Sequence, residues 1–574
     1  MVYKSLHQCI TDLEVNGELR IISKESDPDL DLASIHLDEF AKGGKALLFE
    51  NVKGSNYKVV SNLFGSISRS RYMFRHSLST VKDLIEIKID PSVIFKNPFK
   101  SVLTLLNGIY AIPKKVRFKG FTEVKIEDLP QIKCWKDDGG AFITLPQVYT
   151  EDVDSPGIMH SNLGMYRVQL SGYDYCQNKE IGMHYQLHRG IGVHQKKANQ
   201  KGEPLKVSIF VGGPPAHSFA AVMPLPEGMS EISFAGVLGK RRFRYSVKNG
   251  FTISADADFV ICGELYPNEL KPEGPFGDHL GYYSLKHDFP VLRVVNVYAK
   301  KDGIWPFTVV GRPPQEDSQF GALIHEITGK AIEKEIPGLR AVNAVDVAGV
   351  HPLLLAIGSE RYTPYNPTKQ PQEILTIANH ILGTGQMSLA KFLFICDDDS
   401  SKLNVSDEES YFSYFLQRVN WQRDLHFQTK TTMDTLDYSS EGLNEGSKVI
   451  LAAAGDIKRK LAKKIPNLEL PYPFTNPKLV SSGILVIEGS GEINKLVSCL
   501  EKQNMQGIGL VTLVDDSSYA SADFSNWLWI TFTRSNPAYD IYGLDENMSN
   551  KHFSCTLPII DARKKAHHAP VLER

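Results

Sequence analysis

The alternation of hydrophobic and polar positions divides the chain into three zones. Residues 1–115 mix helix-period and strand-like segments, and the turn in AKGGKALLFENV opens a strand. In residues 116–325 the apolar residues form short runs separated by Gly and Pro, such as GMYRVQL, KVSIFVGG and VLRVVNVY, which predict an antiparallel sheet or barrel. The helical spacing of EDSQFGALIHEITGKAIEKEI leads into α/β character in residues 326–574. The pattern predicts a multidomain α/β (α+β) protein.

The third zone contains two similar strand–helix–strand–helix segments, residues 350–426 and 480–542. Both close on the pattern Arg-x-Asn-x-x-x-Asp, at Arg418/Asn420/Asp424 and at Arg534/Asn536/Asp540. An internal duplication explains this agreement, and chance similarity between two βαβ units is the alternative.

Composition narrows the class of protein only modestly. A chain of 574 residues is too long to fold around a single hydrophobic core. Its net charge of −2 gives no indication of nucleic-acid binding. Its seven scattered cysteines are typical of reduced thiols in the cytoplasm. The N-terminal segment lacks the apolar core of a signal peptide, and no run approaches the roughly 18 apolar residues of a membrane span.

The stretch KPEGPFGDHLGYYS, residues 271–284, places two acids on a segment that cannot be helical. It follows the strand-like run DFVICGEL and precedes VLRVVNV, so it is predicted to be a tight loop. Glu273 and Asp278 are either ordinary turn residues or carboxylates that the loop holds in place for chemistry.

Other candidate residues lie in three further motifs. SNLGMYRVQL contains Asn162 and Arg167, MHYQLHRGIGVH contains His184 and His188, and VMPLPEGMSE supplies Glu231. A helical His-x-x-x-His could bind zinc, but the HEXXH glutamate is missing and the surroundings indicate a strand. Taken singly, such residues are more often surface charges or satisfied buried polar groups.

Together these motifs resemble the UbiD-type decarboxylases. NLGMYR, HRG, MPLPEGMSE, PEGPFGDHLGYYS and VVGRPPQED stand in the order and approximate spacing of that family, and LPQIKCWKDDGGAFIT and KFLFICDDD resemble its flanking segments. The resemblance implies an N-terminal α/β domain, a central split β-barrel like that of flavin reductases, and a C-terminal α/β oligomerisation domain. Dimers and hexamers both occur in the family.

The resemblance also implies a cofactor site. Prenylated FMN is expected with a divalent metal, Mn²⁺ or Mg²⁺, and with potassium. The implied metal ligands are Asn162, His188 and Glu231. The positions implied to contact the cofactor are Met165, Tyr166, Arg167, His184, Tyr185, Gln186, Arg189, Gly190 and Lys391. A longer loop, SGYDYCQNKE, departs from shorter relatives and puts the register of residues 184–186 in doubt.

The implied catalytic group is Asp278 as proton donor, with Glu273 as its partner and Arg167 as the cation that organises both. Burial and a neighbouring carboxylate would raise the pKa of Asp278, whereas Arg167 would lower it. The sequence leaves open which effect is larger.

The implied reaction is decarboxylation of an aromatic acid in quinone synthesis. The substrate is either a polyprenyl-hydroxybenzoate of the ubiquinone pathway or a naphthoate of the menaquinone pathway. Other aryl or acrylic acids are the alternative, and a flavin-binding protein without catalysis is a further one. Expected partners are a flavin prenyltransferase and further copies of the chain. The expected location is the cytoplasm, with peripheral membrane contact through a lipophilic substrate.

Overall fold

The computed structural model describes residues 2–185, 190–225, 229–361, 368–398, 402–440, 442 and 444–573. The chain forms two compact units. The first contains Met1–Thr328 together with Val571–Arg574, and the second contains Gly329–Pro570. The predicted boundary at residue 325 lies close to this division, whereas the one predicted at residue 115 falls inside the first unit. Within the described ranges, every helix falls short of the length and apolar content that a membrane crossing requires.

The first unit contains, in chain order, α1 (Leu6–Val15), β1 (Leu19–Ile22), α2 (Asp31–Ala41), β2 (Ala46–Phe49), β3 (Lys58–Ser61), α3 (Ile67–Met73), α4 (Leu78–Ile89), α5 (Val93–Lys96), α6 (Pro98–Leu106), β4 (Lys114–Lys115), β5 (Thr122–Glu123), β6 (Phe142–Ile143), β7 (Gln147–Glu151), β8 (Ser161–Gly164), β9 (Val168–Gln169), β10 (Glu180–Met183), α7 (Gly190–Lys201), β11 (Leu205–Val211), α8 (Pro215–Val222), α9 (Glu231–Leu238), β12 (Arg244–Lys248), β13 (Phe251–Ser254), β14 (Phe259–Glu273), β15 (His287–Ala299), β16 (Ile304–Phe307) and α10 (Glu316–Glu335), whose last residues belong to the second unit.

The second unit continues with β17 (Leu339–Ala344), β18 (Leu353–Gly358), α11 (Glu373–Leu382), β19 (Phe392–Asp397), α12 (Glu408–Arg418), β20 (Leu425–Thr432), β21 (Glu445–Ala453), β22 (Thr475–Ser481), β23 (Ile484–Glu488), α13 (Ile493–Leu500), β24 (Leu510–Val514), α14 (Ser517–Ala522), α15 (Phe524–Arg534), α16 (Pro537–Asp540), β25 (Ile541–Leu544), β26 (Asn547–Ser549), β27 (His552–Ser554) and β28 (Leu557–Asp561).

Three sheets organise the first unit. The smallest has the order β13-β12-β4, and a four-stranded sheet has the order β1-β2-β3-β16. A nine-stranded sheet follows the path β6-β9-β10-β15-β14-β11-β7-β8, with β5 paired to β15. Because β16 pairs in parallel with β3, the four-stranded sheet combines three strands of the N-terminal zone with one strand of the central zone. Most of the central runs predicted as strands form one large antiparallel sheet, while β12, β13 and β16 join the two smaller ones. Closure of the large sheet as a split barrel stays a prediction.

The hairpin of β14 and β15 is longer than its sequence indicates. The predicted strand covered 258–265, yet β14 continues to Glu273, after a shift of register between Leu265 and Leu270. Pro272 excludes a helix but does not exclude an irregular strand, where a proline is tolerated at a bulge. The loop is therefore confined to residues 274–286.

The second unit contains two five-stranded sheets of the same topology. Their orders are β17-β18-β19-β21-β20 and β22-β23-β24-β28-β25. In each, the three central strands pair in parallel and both outer strands pair antiparallel.

The repeated Arg-x-Asn-x-x-x-Asp pattern forms the same turn in both places. In each, the helix ends at the Arg, and the Asp carboxylate accepts the backbone N–H of the Asn, at 2.9 Å in Asn420–Asp424 and 2.6 Å in Asn536–Asp540. Duplication stays a hypothesis, because unrelated βαβ units can share a topology.

Glu316, the first residue of α10, is a buried acid without an ion pair among the described residues. It is 0% exposed, and its Oε1 accepts the backbone N–H of Phe64 at 2.7 Å. Burial raises the pKa of Glu316 to about 7. Because this lies above the unfolded value of 4.5, the proton stabilises the fold fully below pH 4.5, and that stability is lost as the pH rises through 7.

We therefore expect Glu316→Gln to raise the free energy of unfolding at pH 8, by about 3 kcal/mol at most, and to change it little at pH 5. Chemical denaturation at both pH values measures this difference. Glu335→Gln, at an exposed position of the same helix, serves as the control. An equal effect of Glu316→Gln at both pH values would show that Glu316 does not hold a proton in the fold.

Candidate active site

The hairpin of β14 and β15 delivers two acids to one place. Glu273 is the last residue of β14 and pairs with His287 at the start of β15. Asp278 lies in the loop that joins the strands, where its backbone N–H donates to the carbonyl of Tyr282 at 3.0 Å. A general acid works best when it is held in position, and both acids are held by backbone pairing.

Arg167 joins the two acids. Its Nε and Nη2 donate to the two oxygens of Glu273, both at 2.8 Å, and its Nη1 donates to Asp278 Oδ2 at 2.5 Å. Nη2 also donates to Ser284 Oγ at 2.9 Å, and the guanidinium carbon lies 4.8 Å from the ring centroid of Phe276. The structure thus brings all three predicted catalytic residues into one cluster.

Burial makes this cluster electrostatically strong. The side chains of Arg167, Glu273 and Asp278 are 8%, 0% and 9% exposed. Burial alone would raise the pKa of Glu273, but Arg167 outweighs it and holds that pKa below its ordinary value. Burial also acts to raise the pKa of Asp278, and the hydrogen bond from His279 and the charge of Arg167 together lower it. The question that the sequence left open is therefore answered: both acids are ionised at neutral pH.

His279 connects Asp278 to a less buried position. Its backbone N–H donates to Asp278 Oδ1 at 2.7 Å, and its Nδ1 lies 2.9 Å from the same oxygen. The His279 side chain is 22% exposed, more than twice the exposure of Asp278.

Neighbouring segments fix the loop from outside. Asp138 accepts the backbone N–H of Gly277 at 2.8 Å and that of Trp135 at 2.9 Å. A Cβ at Gly277 would lie 2.0 Å from the Trp135 ring, so only glycine fits there. Burial raises the pKa of Asp138 to about 6.

The loop of residues 171–180, predicted to be longer than in shorter relatives, also supports the hairpin. Tyr175 donates to the carbonyl of Pro272 at 2.8 Å, and Tyr173 donates to that of Gly274. On the opposite side of the loop, Leu572 donates its backbone N–H to the Gly281 carbonyl at 3.0 Å.

Apart from Lys391, the positions predicted to contact the cofactor lie between residues 165 and 190. His184 is 7% exposed, its ring centroid lies 4.2 Å from that of Phe289, and burial followed by the charge of Arg167 lowers its pKa to about 4. The rings of Tyr166 and Tyr185 lie 6.0 Å apart, and Tyr185 donates to Gln195.

Met165 donates its backbone N–H to the Ala221 carbonyl at 2.8 Å. Lys391 lies in the second unit, where its amine contacts Asp437 and Ser439, each at 2.8 Å. Gln186, His188 and Arg189 lie outside the described residues.

Two of the three predicted metal ligands are brought together. Asn162 is in β8, and Glu231 begins α9. The backbone N–H of Leu163, next to Asn162, lies 3.5 Å from Glu231 Oε2. Burial raises the pKa of Glu231, and none of the described lysines or arginines forms a salt bridge with it.

These residues fit a hard cation and a phosphate. An amide oxygen and a carboxylate are ligands that Mn²⁺ and Mg²⁺ accept, and a cation would compensate the charge of the half-buried Glu231. The Ser230 Oγ beside Glu231 is buried, and it has no hydrogen-bond partner among the residues that the structure describes. Gly190 opens α7 close to Asn162, where a Cβ would lie 2.2 Å from the Asn162 amide oxygen.

Sequence reasoning missed three residues that hold the acids, namely Ser284, His279 and Asp138. All three stand inside motifs already noted, since Ser284 ends PEGPFGDHLGYYS and Asp138 lies in WKDDGG. Which of the two acids in WKDDGG turns inward depends on the folded backbone, and no spacing rule could select it.

Models of three consecutive domains of one enzyme match the chain. The N-terminal domain of 3-octaprenyl-4-hydroxybenzoate carboxy-lyase (UbiD) matches residues 10–88, its Rift-related domain matches residues 111–313, and its C-terminal domain matches residues 318–453.

Relatives match over almost the whole chain. The chain is 36% identical over 563 residues to a 4-hydroxybenzoate decarboxylase component from Chlamydia pneumoniae, covering 95% of this chain and 91% of that protein. It is 35% identical over 565 residues to an uncharacterized protein of Chlamydia trachomatis, covering 97% of this chain and 94% of that protein.

Solved structures share the fold at lower identity. The closed form of vanillic acid decarboxylase from Sedimentibacter hydroxybenzoicus has a TM-score of 0.66 at 21% identity and covers 82% of this chain and 96% of its own. The UbiD-class enzyme HmfF from Pelotomaculum thermopropionicum, in complex with FMN, has a TM-score of 0.61 at 20% identity and covers 81% and 97%. With all three domain models and near full-length relatives in agreement, the chain belongs to the UbiD family of carboxy-lyases.

Proposed function

We propose that this chain is a prenylated-FMN-dependent, non-oxidative decarboxylase of an aromatic acid with a hydroxyl group para to the carboxylate. The observation that carries the proposal is the buried cluster of Arg167, Glu273 and Asp278. A protein that only binds a flavin does not need two ionised acids that are both held by one buried arginine. A site that delivers a proton to carbon needs an acid held in a fixed position.

The chemistry explains why a cofactor is required. Removing CO₂ from an aromatic carbon leaves an electron pair that the ring does not stabilise. When bound, prenylated FMN supplies the electron sink that the side chains lack. The protein contributes position, exclusion of water and a proton.

Asp278 is proposed to supply that proton. The bond between the ring carbon and the carboxylate breaks, and CO₂ leaves. The ring carbon then takes the proton of Asp278, and a proton from the solvent restores the acid. Asp278 is ionised in the resting site, so it must first gain this proton. A second anion, the substrate carboxylate, disfavours ionised carboxylates nearby and raises the pKa of Asp278. His279 offers a route for protons from the solvent, because it contacts Asp278 Oδ1 and is itself partly exposed.

The class of substrate is proposed from the names of the relatives. Both 4-hydroxybenzoate and vanillic acid carry a hydroxyl para to the carboxylate. A polyprenyl-hydroxybenzoate or a hydroxynaphthoate quinone precursor shares this chemistry and remains the lead substrate, ahead of other aryl or acrylic acids. A phenol favours the reaction because it can tautomerise as the ring is attacked.

Asn162, His188 and Glu231 would hold Mn²⁺ or Mg²⁺, which would compensate the charge of the cofactor phosphate, and potassium is proposed as a further ion. Met165, Tyr166, Arg167, His184, Tyr185, Gln186, Arg189, Gly190 and Lys391 remain proposed cofactor contacts. The proposed partners are a flavin prenyltransferase that supplies the cofactor and further copies of the chain.

Removing the metal ligand should empty the site. Glu231→Gln keeps the size of the side chain but removes the charge that a cation compensates. We expect protein co-expressed with a flavin prenyltransferase to lose both metal and prenylated FMN in this variant, measured by metal analysis and mass spectrometry. Glu316→Gln, which alters a fully buried glutamate of α10, should retain both. Full retention by Glu231→Gln would show that the metal assignment is wrong.

Replacing the proton donor should stop turnover without emptying the site. Asp278→Asn preserves shape but cannot carry a proton, so we expect prenylated FMN to stay bound and turnover to fall about 100-fold or more. Wild type should also exchange the ring proton of its phenolic product with deuterated water, and the variant should not.

Asp137→Asn, at an exposed acid close in the fold to the loop, is the matched control for Asp278→Asn and should behave as wild type. Normal turnover and exchange in Asp278→Asn would make the loop structural. Glu273 would then be the next acid to test.

A further inference from the structure

The segment of residues 95–119, which we call the basic apolar segment, exposes large apolar side chains to solvent. Phe95 is 84% exposed, Phe99 80% and Leu106 66%. Ile109 and Ile112 follow at 58% and 57%. Single exposed apolar residues are common, but a contiguous group in one short stretch marks an interaction surface.

Among the described side chains of helix α6, polar residues are buried and apolar ones are exposed. Ser101 and Thr104 are 3% and 5% exposed, whereas Phe99 and Leu106 face outward. A helix on a water-facing surface shows the opposite arrangement. The outward face of α6 is therefore suited to an apolar or interfacial environment.

The same segment is strongly basic. Residues 95–119 carry six basic residues and no Asp or Glu, whereas the whole chain has a net charge of −2; the six are Lys96, Lys100, Lys114, Lys115, Arg117 and Lys119. The Lys96 side chain is 68% exposed, and Lys114 and Lys115 are both exposed. Lys96 lies 3.9 Å from Asp90, just before the segment, and the other cations flank the exposed apolar residues along the sequence.

The segment is also anchored to the rest of the first unit. Arg242 donates to the carbonyls of Ile112 and Pro113 at 2.7 and 2.9 Å, and β4 pairs with β12. The apolar and basic side chains are therefore presented on a folded platform.

We propose that the basic apolar segment docks on an anionic lipid bilayer, with its Phe and Leu side chains in the interface and its lysines against the headgroups. Apolar side chains bordered by Lys and Arg are the features that interfacial helices use. The nine residues of α6 rise about 14 Å, roughly half of a hydrocarbon core, so this helix lies in the interface and does not cross it.

Charge disfavours a second copy of the chain as the occupant. A two-fold contact places the same surface on both subunits, so it would bring two groups of six cations against each other. The headgroups of an anionic bilayer would pair with the basic side chains, and its interfacial region would accept the apolar ones. The inference does not depend on which aromatic acid the enzyme decarboxylates.

Vesicle flotation of the full-length holoenzyme tests the proposal. Wild type should float with vesicles of phosphatidylcholine and phosphatidylglycerol, stay unbound with phosphatidylcholine alone, and dissociate in high salt. Phe95→Ser with Phe99→Ser should lower partitioning at least about tenfold, and so should Lys114→Glu with Lys115→Glu.

Two matched controls separate the surface from general effects. Tyr472→Ser removes an aromatic side chain that is 92% exposed, and Lys463→Glu with Lys464→Glu reverses an exposed lysine pair of the second unit. Both should bind as wild type does. The proposal is overturned if wild type ignores anionic vesicles or if the segment variants bind like the controls. It is also overturned if the Phe variant dissociates an oligomer while wild type binds no lipid, because the surface is then an interface between copies.

Discussion

A buried guanidinium that holds two carboxylates is the constraint on which the site depends. Arg167 binds Glu273 through two parallel hydrogen bonds and Asp278 through a third, and all three side chains are withdrawn from water. Removing the cation would leave two buried anions side by side, which costs several kcal/mol for each uncompensated charge. The fold must therefore bring Arg167, the end of β14 and the loop that carries Asp278 into contact.

The remainder of the first unit provides that meeting point. The nine-stranded sheet places β9, which follows Arg167, in the same sheet as β14, which ends at Glu273. Asp138 and Ser284 fix the loop through its backbone N–H groups, since Ser284 Oγ accepts that of Phe276 at 3.1 Å. Because the acids are held in place, the pKa of Asp278 changes when an anion binds and does not change through movement of the loop.

Sequence motifs singled out the two acids, Arg167 and the two described residues proposed as metal ligands, because these residues stand in short local patterns. The strand runs also predicted the central sheet. The predicted strand was shorter than β14 because Pro272 disfavours a regular strand, although it does not exclude an irregular one. The joining of β16 to β3 is non-local and leaves no signal in either segment. Helix α6 shows a further limit: apolar spacing predicts which residues share a face, but not that this face is exposed.

Infrared difference spectroscopy of the holoenzyme tests most directly whether Arg167 keeps Asp278 ionised until substrate arrives. Comparing wild type with Asp278→Asn isolates the signal of this one carboxyl group. The account predicts an ionised Asp278 in the resting enzyme at neutral pH, and a protonated carboxyl signal when 4-hydroxybenzoate or a non-reactive analogue binds. A signal for protonated Asp278 in the resting enzyme, or none in the presence of bound aromatic acid, would contradict it.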